Sequence, residues 1–221
     1  MTTQVEVWPL HGLRLRTRDL ELRVVREADL PVLASVLPPD VDLDPSATRY
    51  PGLSEAASRR AILAQDYWRH LGTWSPDDWT LPLVVSCDGE VIGAQTLEGP
   101  NFREKRTVDS SSWLTVGARG RGFGTQMRSA ILTLAFGPLG AWAAISSAVL
   151  SNVASLGVSR SLGYREVGRE PLGRGDAVLA LLRLERAQWL AGGHTDGVEI
   201  EGLEPCLPFF GLGPSVGDDR G

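Results

Sequence analysis

The most informative segment of the chain is Arg119-Gly120-Arg121-Gly122-Phe123-Gly124, in which three glycines alternate with two arginines and a phenylalanine. A strand-like run precedes it and an amphipathic helical pattern follows it, so a strand, a glycine-rich turn and a helix are predicted. The first amides of a helix lack internal partners and carry partial positive charge, which attracts anions. Glycines let the backbone approach a phosphate closely, and the two arginines can add charge-assisted hydrogen bonds. The stretch therefore predicts an anion-binding turn.

Two other phosphate-binding motifs fit this turn poorly. A P-loop ends in Gly-Lys-Ser/Thr, whereas the turn here continues as Gly124-Thr125-Gln126, without the lysine. A dinucleotide fingerprint has the spacing G-x-G-x-x-G, whereas the glycines here are Gly120, Gly122 and Gly124. A nucleoside triphosphate and NAD are thereby disfavoured as ligands, and a tight turn that binds no ligand remains as the alternative.

The first part of the chain predicts a strand followed by two helices. Alternation over residues 20–25 indicates a half-buried strand, and an apolar helix follows over 27–36 until Pro38-Pro39 ends it. Residues 38–54 read as a long loop, and a second helix runs over about 54–71. Three tryptophans near its end are expected either to pack in the core or at its rim, or to line an acceptor pocket: Trp68, Trp74 and Trp79.

A hairpin and a further strand lead into the turn. Apolar residues alternate over 81–87, Asp88-Gly89 is a strong two-residue hairpin signal, and 91–94 continues as the partner strand. Gly93 within that strand indicates a bulge or a close backbone approach. After a charged connection, Val108 to Val116 predicts a third strand that leads to the glycine turn.

Helix and strand patterns alternate behind the turn. The first helix ends at Gly137-Pro138. Its apolar stripe consists of Met127, Ala130, Ile131, Leu134 and Ala135. Residues 141–150 predict a strand, and Asn152 is a good N-cap for a helix that runs to Leu162. Two later segments predict a closing pair of strands, 164–167 and 178–184.

Three segments resemble the GCN5-related N-acetyltransferase (GNAT) superfamily. Arg119-x-x-Gly122-x-Gly124 is similar to its R/Q-x-x-G-x-G/A signature. Asn152-Val153-Ala154-Ser155 leading to Leu162-Gly163-Tyr164 resembles its N-x-x-S…L-G-F/Y helix, and residues 20–29 resemble its first strand and helix. The resemblance covers about residues 18–186. It implies an α/β GNAT fold with a mixed, mostly antiparallel twisted sheet, flanking helices and a cleft where the strands at 108–116 and 141–150, fourth and fifth in the family's order, splay.

Within the superfamily, the chain most resembles the branch that contains ribosomal-protein N-terminal acetyltransferases. The run Asp78 to Leu83 and the tail around Cys206 to Phe210 resemble a mycobacterial member proposed to use succinyl-CoA. The resemblance implies acyl transfer from coenzyme A to a primary amine of a small molecule, an antibiotic or a protein. Acetyl-CoA is the default co-substrate. Succinyl-CoA is the alternative, and its carboxylate would need an arginine or hydroxyls nearby, such as Ser110, Ser111, Ser112, Ser146 and Ser147.

In relatives, acyl-CoA lies in the splayed cleft and its pantetheine arm pairs with free strand backbone. The resemblance implies that an amide near Trp113 or Leu114 polarises the thioester carbonyl and stabilises the oxyanion. Asn152 is expected both to cap its helix and to contact the pantetheine region. The residues expected to bind the co-substrate are Trp113, Leu114, Thr115, Val116, Arg119, Gly120, Arg121, Gly122, Phe123, Gly124, Thr125, Asn152 and Ser155.

Direct attack requires a group that accepts a proton from the amine. Asp109 lies where many relatives carry a glutamate, so the resemblance makes it the expected base, acting through a water because aspartate is one methylene shorter. A solvated or capping role is the alternative for Asp109, and Glu98 and Glu104 are weaker candidates for the base.

The departing thiolate requires a proton donor. Many relatives place a tyrosine seven residues after the asparagine that begins the helix, whereas this chain has Ser159 there. Ser155 and Ser159 could bind the sulfur, or both could be small helix-packing residues, and Tyr164 is expected in the core. This departure keeps a second class of function open, a non-catalytic acyl-CoA-binding sensor or partner module with the same fold.

Composition limits the remaining classes. The chain has 221 residues, 43% of them hydrophobic, which predicts a packed core. A formal net charge of −5 argues against nucleic-acid binding. Two unlinked cysteines make no disulfide scaffold. No metal is predicted, because the histidines have no ligand spacing: His11, His70 and His194.

Changes in composition along the chain predict three parts. Residues 1–17 form an N-terminal extension, 18–190 the GNAT acyltransferase domain, and 191–221 a C-terminal extension rich in Gly, Pro and acids. The tail could add a strand, clasp a second subunit in a homodimer, or fray. Because no apolar run approaches the ~18 residues of a membrane span and the N-terminus lacks a signal pattern, a cytoplasmic protein without membrane contact is expected.

Overall fold

A computed structural model describes residues 3–41, 47–173, 176–193 and 197–213, so His194 and residues 214–221 lie outside it. The helices are α1 (Gln4–Val7), α2 (Leu30–Val36), α3 (Glu55–Gly72), α4 (Phe102–Lys105), α5 (Phe123–Phe136), α6 (Val153–Ser161) and α7 (Arg186–Ala191). The strands are β1 (Arg14–Arg16), β2 (Glu21–Val24), β3 (Trp79–Cys87), β4 (Glu90–Gly99), β5 (Thr107–Val108), β6 (Ser112–Leu114), β7 (Ala143–Val149), β8 (Arg165–Pro171), β9 (Val178–Glu185) and β10 (Glu199–Glu201). Short 3₁₀ segments cover Pro9–Gly12, Glu27–Asp29, Val116–Ala118 and Glu204–Phe210.

The strands form two sheets that meet where the chain approaches the glycine turn. One sheet has the order β10-β1-β2-β3-β4-β6, and the other has the order β5-β7-β9-β8. The pair β5–β7 is parallel, and the other strand pairs are antiparallel. The predicted fold class, a mixed and mostly antiparallel sheet with flanking helices, is confirmed.

The predicted third strand, Val108 to Val116, is wrong as a single element. It is broken into β5, which belongs to one sheet, and β6, which belongs to the other. At the break, the amide of Ser110 donates to the side-chain Oδ1 of Asp109 at 2.7 Å. Such a local side-chain bond offers the backbone an alternative to the ladder, and it accompanies the passage of the chain from one sheet to the other.

The main core lies between the sheets and α5. The predicted stripe on α5, Met127, Ala130, Ile131, Leu134 and Ala135, is entirely buried. A smaller apolar cluster, Val25, Leu33, Tyr67 and Val84, lies on the other face of the first sheet, under α2 and α3. β4 and β6 therefore pack against apolar side chains on both faces.

Close backbone packing at Gly93 is confirmed. A Cβ built on Gly93 would lie 2.3 Å from the carbonyl oxygen of Trp113 on the neighbouring strand. Only glycine permits this approach, and the register of β3 with β4 also shifts here, between Val85 and Ser86. Gly93 therefore fixes how tightly β6 lies against β4.

The aromatic residues near α3 pack with the C-terminal segment. Trp74 stacks on Trp79 with ring centroids 6.0 Å apart, and Phe210 contacts Trp79 at 4.9 Å. Trp68 is half exposed. The tail also supplies β10, in which Ile200 pairs with Leu15 of β1. The three-part division at residues 18 and 190 stays a prediction, although both extensions contribute to the same core.

Candidate functional site

The cleft between β6 and β7 arises because β5 and β7 part after a short parallel pairing. Thr107 and Val108 pair with Ala143 and Ala144, and beyond them β6 pairs only with β4 while β7 continues beside β9. One edge of β6 and one edge of β7 therefore face each other without a shared ladder. This is the splay that the resemblance implies.

The register of β6 determines which of its amides face the cleft. Thr115 N donates to Ile92 O and Thr96 N donates to Ser111 O, so these residues, with Trp113 and Ala94 between them, form the hydrogen-bonded pairs of the ladder. In an antiparallel ladder, hydrogen-bonded and non-bonded pairs alternate. The intervening residues Ser112 and Leu114 therefore direct their backbone groups away from β4 and into the cleft.

Leu114 is consequently the better of the two expected oxyanion donors. The amide of Trp113 faces β4, whereas the Leu114 carbonyl accepts a hydrogen bond from Arg119 Nε at 3.1 Å. That bond is consistent with the outward direction of the Leu114 backbone. Thr115 and Val116 continue the chain from β6 towards the glycine turn, and the Val116 side chain is 66% exposed beside the cleft.

The glycine turn has the backbone geometry of an anion site. Gly122 is the N-cap of α5 with φ of 80°, and Gly120 has φ of 74°. A Cβ on either residue would meet no protein atom within 4 Å, so the space above both is open. Gly124 instead allows α5 to pack closely against α6, because a Cβ on Gly124 would lie 3.2 Å from the Val158 side chain. Phe123 is buried and anchors the turn, while Thr125 is half-buried in the first turn of α5.

The two arginines of the turn differ in their contacts. Arg119 donates to both carboxylate oxygens of Asp40, at 2.6 and 2.8 Å, and this hydrogen bonding holds the pKa of Asp40 below its usual value. Exposed ion pairs of this kind contribute only about 0–1 kcal/mol, so a diphosphate can compete for Arg119. Arg121 is exposed and lies over the Phe123 ring, 4.6 Å from its centroid. Arg121 is therefore the more available cation.

Asn152, Ser155 and Ser159 lie along α6. Asn152 caps this helix as predicted, because its side chain accepts from the Ser155 amide at 3.1 Å. Ser155 is half-buried. Ser159 is fully buried, and its hydroxyl has no hydrogen-bond partner among the residues that the structure describes. A buried hydroxyl without a partner is uncommon in proteins, which makes Ser159 the more notable of the two serines.

Asp109 lies where the two sheets join. Burial raises the pKa of its carboxyl to about 6, with a further rise from the nearby charge of Glu98, while the Ser110 amide and Arg128 oppose the shift. The backbones of Asp109 and Glu98 exchange two hydrogen bonds of 2.9 Å, so the side chains of this directly opposed pair lie on one face. Glu104 is exposed on α4. Of the three acids considered as bases, Asp109 and Glu98 are thus brought together and Glu104 is set apart.

Arg128 is a residue that the sequence interpretation missed. It is 4% exposed, its Nη1 lies 3.4 Å from Ser146 Oγ, and its Nε has no hydrogen-bond partner in the described part of the chain. A buried cation normally requires an anion. Tyr164 is also buried there, and burial raises its pKa while the charge of Arg128 opposes that rise. The available signal was spacing, since Arg128 precedes Ile131 and Ala135 by one and two helical turns.

A second space, the α2–α3 cavity, lies on the opposite face of β4 and β6 from the main core. Its volume is about 330 Å³. Its polar and charged lining residues are Asp66, Arg69, His70, Thr96, Glu98, Ser111 and Ser112. Its apolar lining residues include Val25, Leu30, Leu33, Leu37, Val41 and Leu63. Trp113 lines this cavity, whereas Trp68, Trp74 and Trp79 are not among its lining residues.

Within 3–41, 47–173, 176–193 and 197–213, no group of three His, Cys, Asp or Glu side chains is arranged to hold a metal ion. In those ranges, too, the helices are all too short or too polar to span a bilayer.

Comparison with known proteins supplies a family and a fold. A family model described as the acetyltransferase (GNAT) domain matches residues 19–165. The structure of Mycobacterium smegmatis RimJ in complex with CoA-disulfide is similar at a TM-score of 0.64 and 18% identity, covering 86% of this chain and 98% of that one. Spermidine N-acetyltransferase from Vibrio cholerae in complex with CoA and spermine is similar at 0.59 and 16% identity, covering 78% and 98%. At these identities the likeness to solved structures establishes the fold.

Proposed function

The chain belongs to the acetyltransferase (GNAT) domain family, and from that premise we propose that it transfers an acyl group from acyl-coenzyme A to a primary amine by direct attack. The observation that carries the proposal is the cleft itself. It combines an open glycine turn at the start of α5 with the outward backbone of β6. The turn suits a diphosphate, and the strand edge suits an extended amide-containing arm.

Each cleft residue then has a definite task. The amides of 120–124 bind the diphosphate, with Arg121 adding charge and Arg119 exchanging Asp40 for it. The strand edge from Trp113 to Val116 holds the pantetheine arm together with Asn152 and Ser155. The Leu114 amide donates to the thioester oxygen and stabilises the oxyanion as the amine attacks.

Asp109 is the proposed base. With a pKa of about 6 its carboxylate is available at neutral pH and accepts the amine proton readily. Asp109 pairs with Glu98, which lines the α2–α3 cavity, and this supports the proposal that the acceptor amine enters through that cavity. Ser159, with a buried and unpartnered hydroxyl, and Ser155 are the proposed hydrogen-bond donors to the departing sulfur.

Acetyl-CoA is the proposed donor, and one observation favours succinyl-CoA as a second candidate. Arg128 offers a buried guanidinium beside Ser146 and forms no ion pair with any residue that the structure describes. A terminal carboxylate on the acyl group would supply a direct ion pair, which the more distant charge of Asp109 does not form. Comparing the two donors at equal concentration, in wild type and in Arg128→Met, decides between them.

The proposal also covers the acceptor, the cellular compartment and the oligomeric state. One similar structure is named as a spermidine N-acetyltransferase, which supports a small-molecule amine as the acceptor, and a protein amine is the alternative. We place the reaction in the cytoplasm, where acyl-CoA is available and free cysteines such as Cys87 and Cys206 persist. A homodimer also stays a proposal, and the exposed edge strand β8 is the surface that it would use.

Calorimetric titration with acetyl-CoA and succinyl-CoA, beside a thiol-release assay over a panel of amines, tests the function. Acyl-CoA binding together with amine-dependent CoA release is expected. Binding without release from any amine would favour the non-catalytic sensor or partner module, which the serine at position 159 motivates. Absence of CoA binding would contradict both assignments.

A further inference from the structure

We propose that β8 joins two copies of this chain, lying antiparallel to the partner's β8 about a two-fold axis between Val167 and Gly168. The inference deepens the proposed homodimer by giving it a register, and it does not depend on acyl transfer. It starts from an exposed edge strand whose backbone and charges are both self-complementary.

β8 forms an exposed edge of its sheet. It is the last strand in the order β5-β7-β9-β8, so its inner edge pairs with β9 and its outer edge is the edge of the sheet. Six of its seven residues are exposed and Gly168 is half-buried, so both faces of the strand are open. Val167 is 62% exposed. An edge of this kind presents N–H and C=O groups that can pair with another chain.

The register of β8 against β9 determines which β8 residues turn their backbone groups outward. Leu172 N donates to Ala177 O at 2.8 Å, and hydrogen-bonded pairs recur at every second residue of β9. The β8 residues opposite those positions are Glu170, Gly168 and Arg165. Glu166 and Arg169 lie between them, so their N–H and C=O groups point away from β9. Pro171 is the next outward position and has no N–H, which confines the pairing to residues 165–170.

One two-fold arrangement uses both outward residues at once. An axis between Val167 and Gly168 places Glu166 of each copy opposite Arg169 of the other, so two hydrogen-bonded pairs form. An axis at Glu166 or at Arg169 would use only one of the two. The shift of register between Glu166 and Gly168 lies at the axis in both copies, so the two strands stay in step. Such a contact is isologous and closes at two copies.

The charges of β8 are complementary in the same arrangement. Arg165 lies opposite the partner's Glu170, and Glu166 lies opposite the partner's Arg169. Shifting the pairing by one residue would instead oppose Arg165 to Arg169 or Glu166 to Glu170, and like charges directly opposite each other are destabilising. Within its own sheet Arg165 is opposite Arg183, so the partner's Glu170 would add an acid beside two arginines. Arg169 Nε lies 2.6 Å from Glu166 Oε1, which places these two side chains on one face.

Two charge reversals, tested alone and mixed, examine this register. Sedimentation of the whole chain from about 1 to about 200 µM should show a reversible dimer, because a single strand edge is a small contact. Arg165→Glu and Glu170→Arg should each weaken the dimer at least about tenfold, since symmetry places like charges opposite twice. An equimolar mixture of the two variants should regain the wild-type affinity, because in the mixed dimer each residue at 165 faces an opposite charge at 170.

A matched control and a second measurement accompany the reversals. Arg60→Glu makes the same change of charge at an exposed position of α3 and should leave the dimer unchanged, and circular dichroism reports folding of every variant. Amide hydrogen exchange should show Glu166 and Arg169 becoming protected as the protein concentration rises. A wild type that stays monomeric, a dimer that resists both reversals, or a mixture of folded variants that does not associate would refute the inference.

The result can be separated from failure of the proposed function. If the dimer follows the charge pattern while no amine releases CoA, the surface is assigned correctly and the catalytic function fails. If amine-dependent CoA release occurs in a protein that stays monomeric, the acyl transfer stands and the β8 contact is wrong.

Discussion

Replacing Asp109 by Asn should reduce activity and raise stability at the same time. The side chain keeps its shape and can still accept the Ser110 amide bond of 2.7 Å, but it can no longer take a proton from the amine. Loss of a general base costs about 10²–10⁴ in rate. In the wild type, kcat/KM should fall more steeply once the pH drops below the carboxyl pKa of about 6. This additional steepening should vanish in Asp109→Asn, which keeps only the shallower fall caused by protonation of the amine substrate.

The stability effect follows from the same carboxyl. Burial raises its pKa from the ordinary 3.8 to about 6, so the folded state binds the proton more tightly than the unfolded chain. Folding stability therefore falls as the pH rises through that window. Each pKa unit is worth about 1.4 kcal/mol, so the charged form costs the folded protein about 3 kcal/mol above the window. The asparagine variant does not carry this cost.

Two assays test these predictions. Stability is measured by urea unfolding at about pH 4 and about pH 8. Activity is measured as CoA release across the pH range, in samples that are quenched and then read at one fixed pH. Relative to wild type, Asp109→Asn should gain about 2–3 kcal/mol more at the higher pH than at the lower one. Glu104→Gln, at an exposed position, is the matched control and should change neither property. A steepening below about pH 6 that persists in Asp109→Asn, or a stability difference that is equal at both pH values, would refute the assignment.

Three further variants probe the cleft and the tail. Arg128→Met removes a buried guanidinium without an ion pair, so the free energy of unfolding in urea should rise by about 1 kcal/mol or more, and any preference for succinyl-CoA should be lost. A loss of stability would show that the charge is compensated. Asp40→Ala should tighten CoA binding up to about fivefold by calorimetry, because Arg119 is released, and weaker binding would argue that the pair orders the turn. Phe210→Ala removes contacts with Trp74 and Trp79 and should lower the free energy of unfolding by about 3–5 kcal/mol. Leu190→Ala at an exposed site should lower it by less than about 0.5 kcal/mol. Similar losses in both variants would mean that the C-terminal tail does not pack against the core.

Local chemistry made the glycine turn and the α6 cap predictable. Gly122 at φ of 80° and the bond from the Ser155 amide to Asn152 depend only on neighbouring residues. Helical spacing in the same way located the buried stripe of α5. The close approach at Gly93 was also visible, because a glycine within a strand has few other reasons to be there.

Features that depend on distant residues could not be predicted in this way. The break at Asp109 reflects which sheet each side of the strand joins, and the partner of Arg119 lies 79 positions away at Asp40. Arg128 looked like an ordinary helix residue because burial is decided by what packs over it. The selection of Leu114 over Trp113 needed the register of β6 against β4.

The most direct measurement compares CoA affinity in Gly122→Val and Gly140→Val. Both glycines have positive φ, 80° and 67°, and a Cβ at either would meet no protein atom within 4 Å. The two variants should therefore suffer a similar backbone strain of about 1–3 kcal/mol. Only the side chain at 122 stands where a diphosphate would lie against the start of α5. We expect Gly122→Val to lose at least about tenfold in CoA affinity and Gly140→Val to bind as the wild type does. Equal affinity in both folded variants would contradict the account.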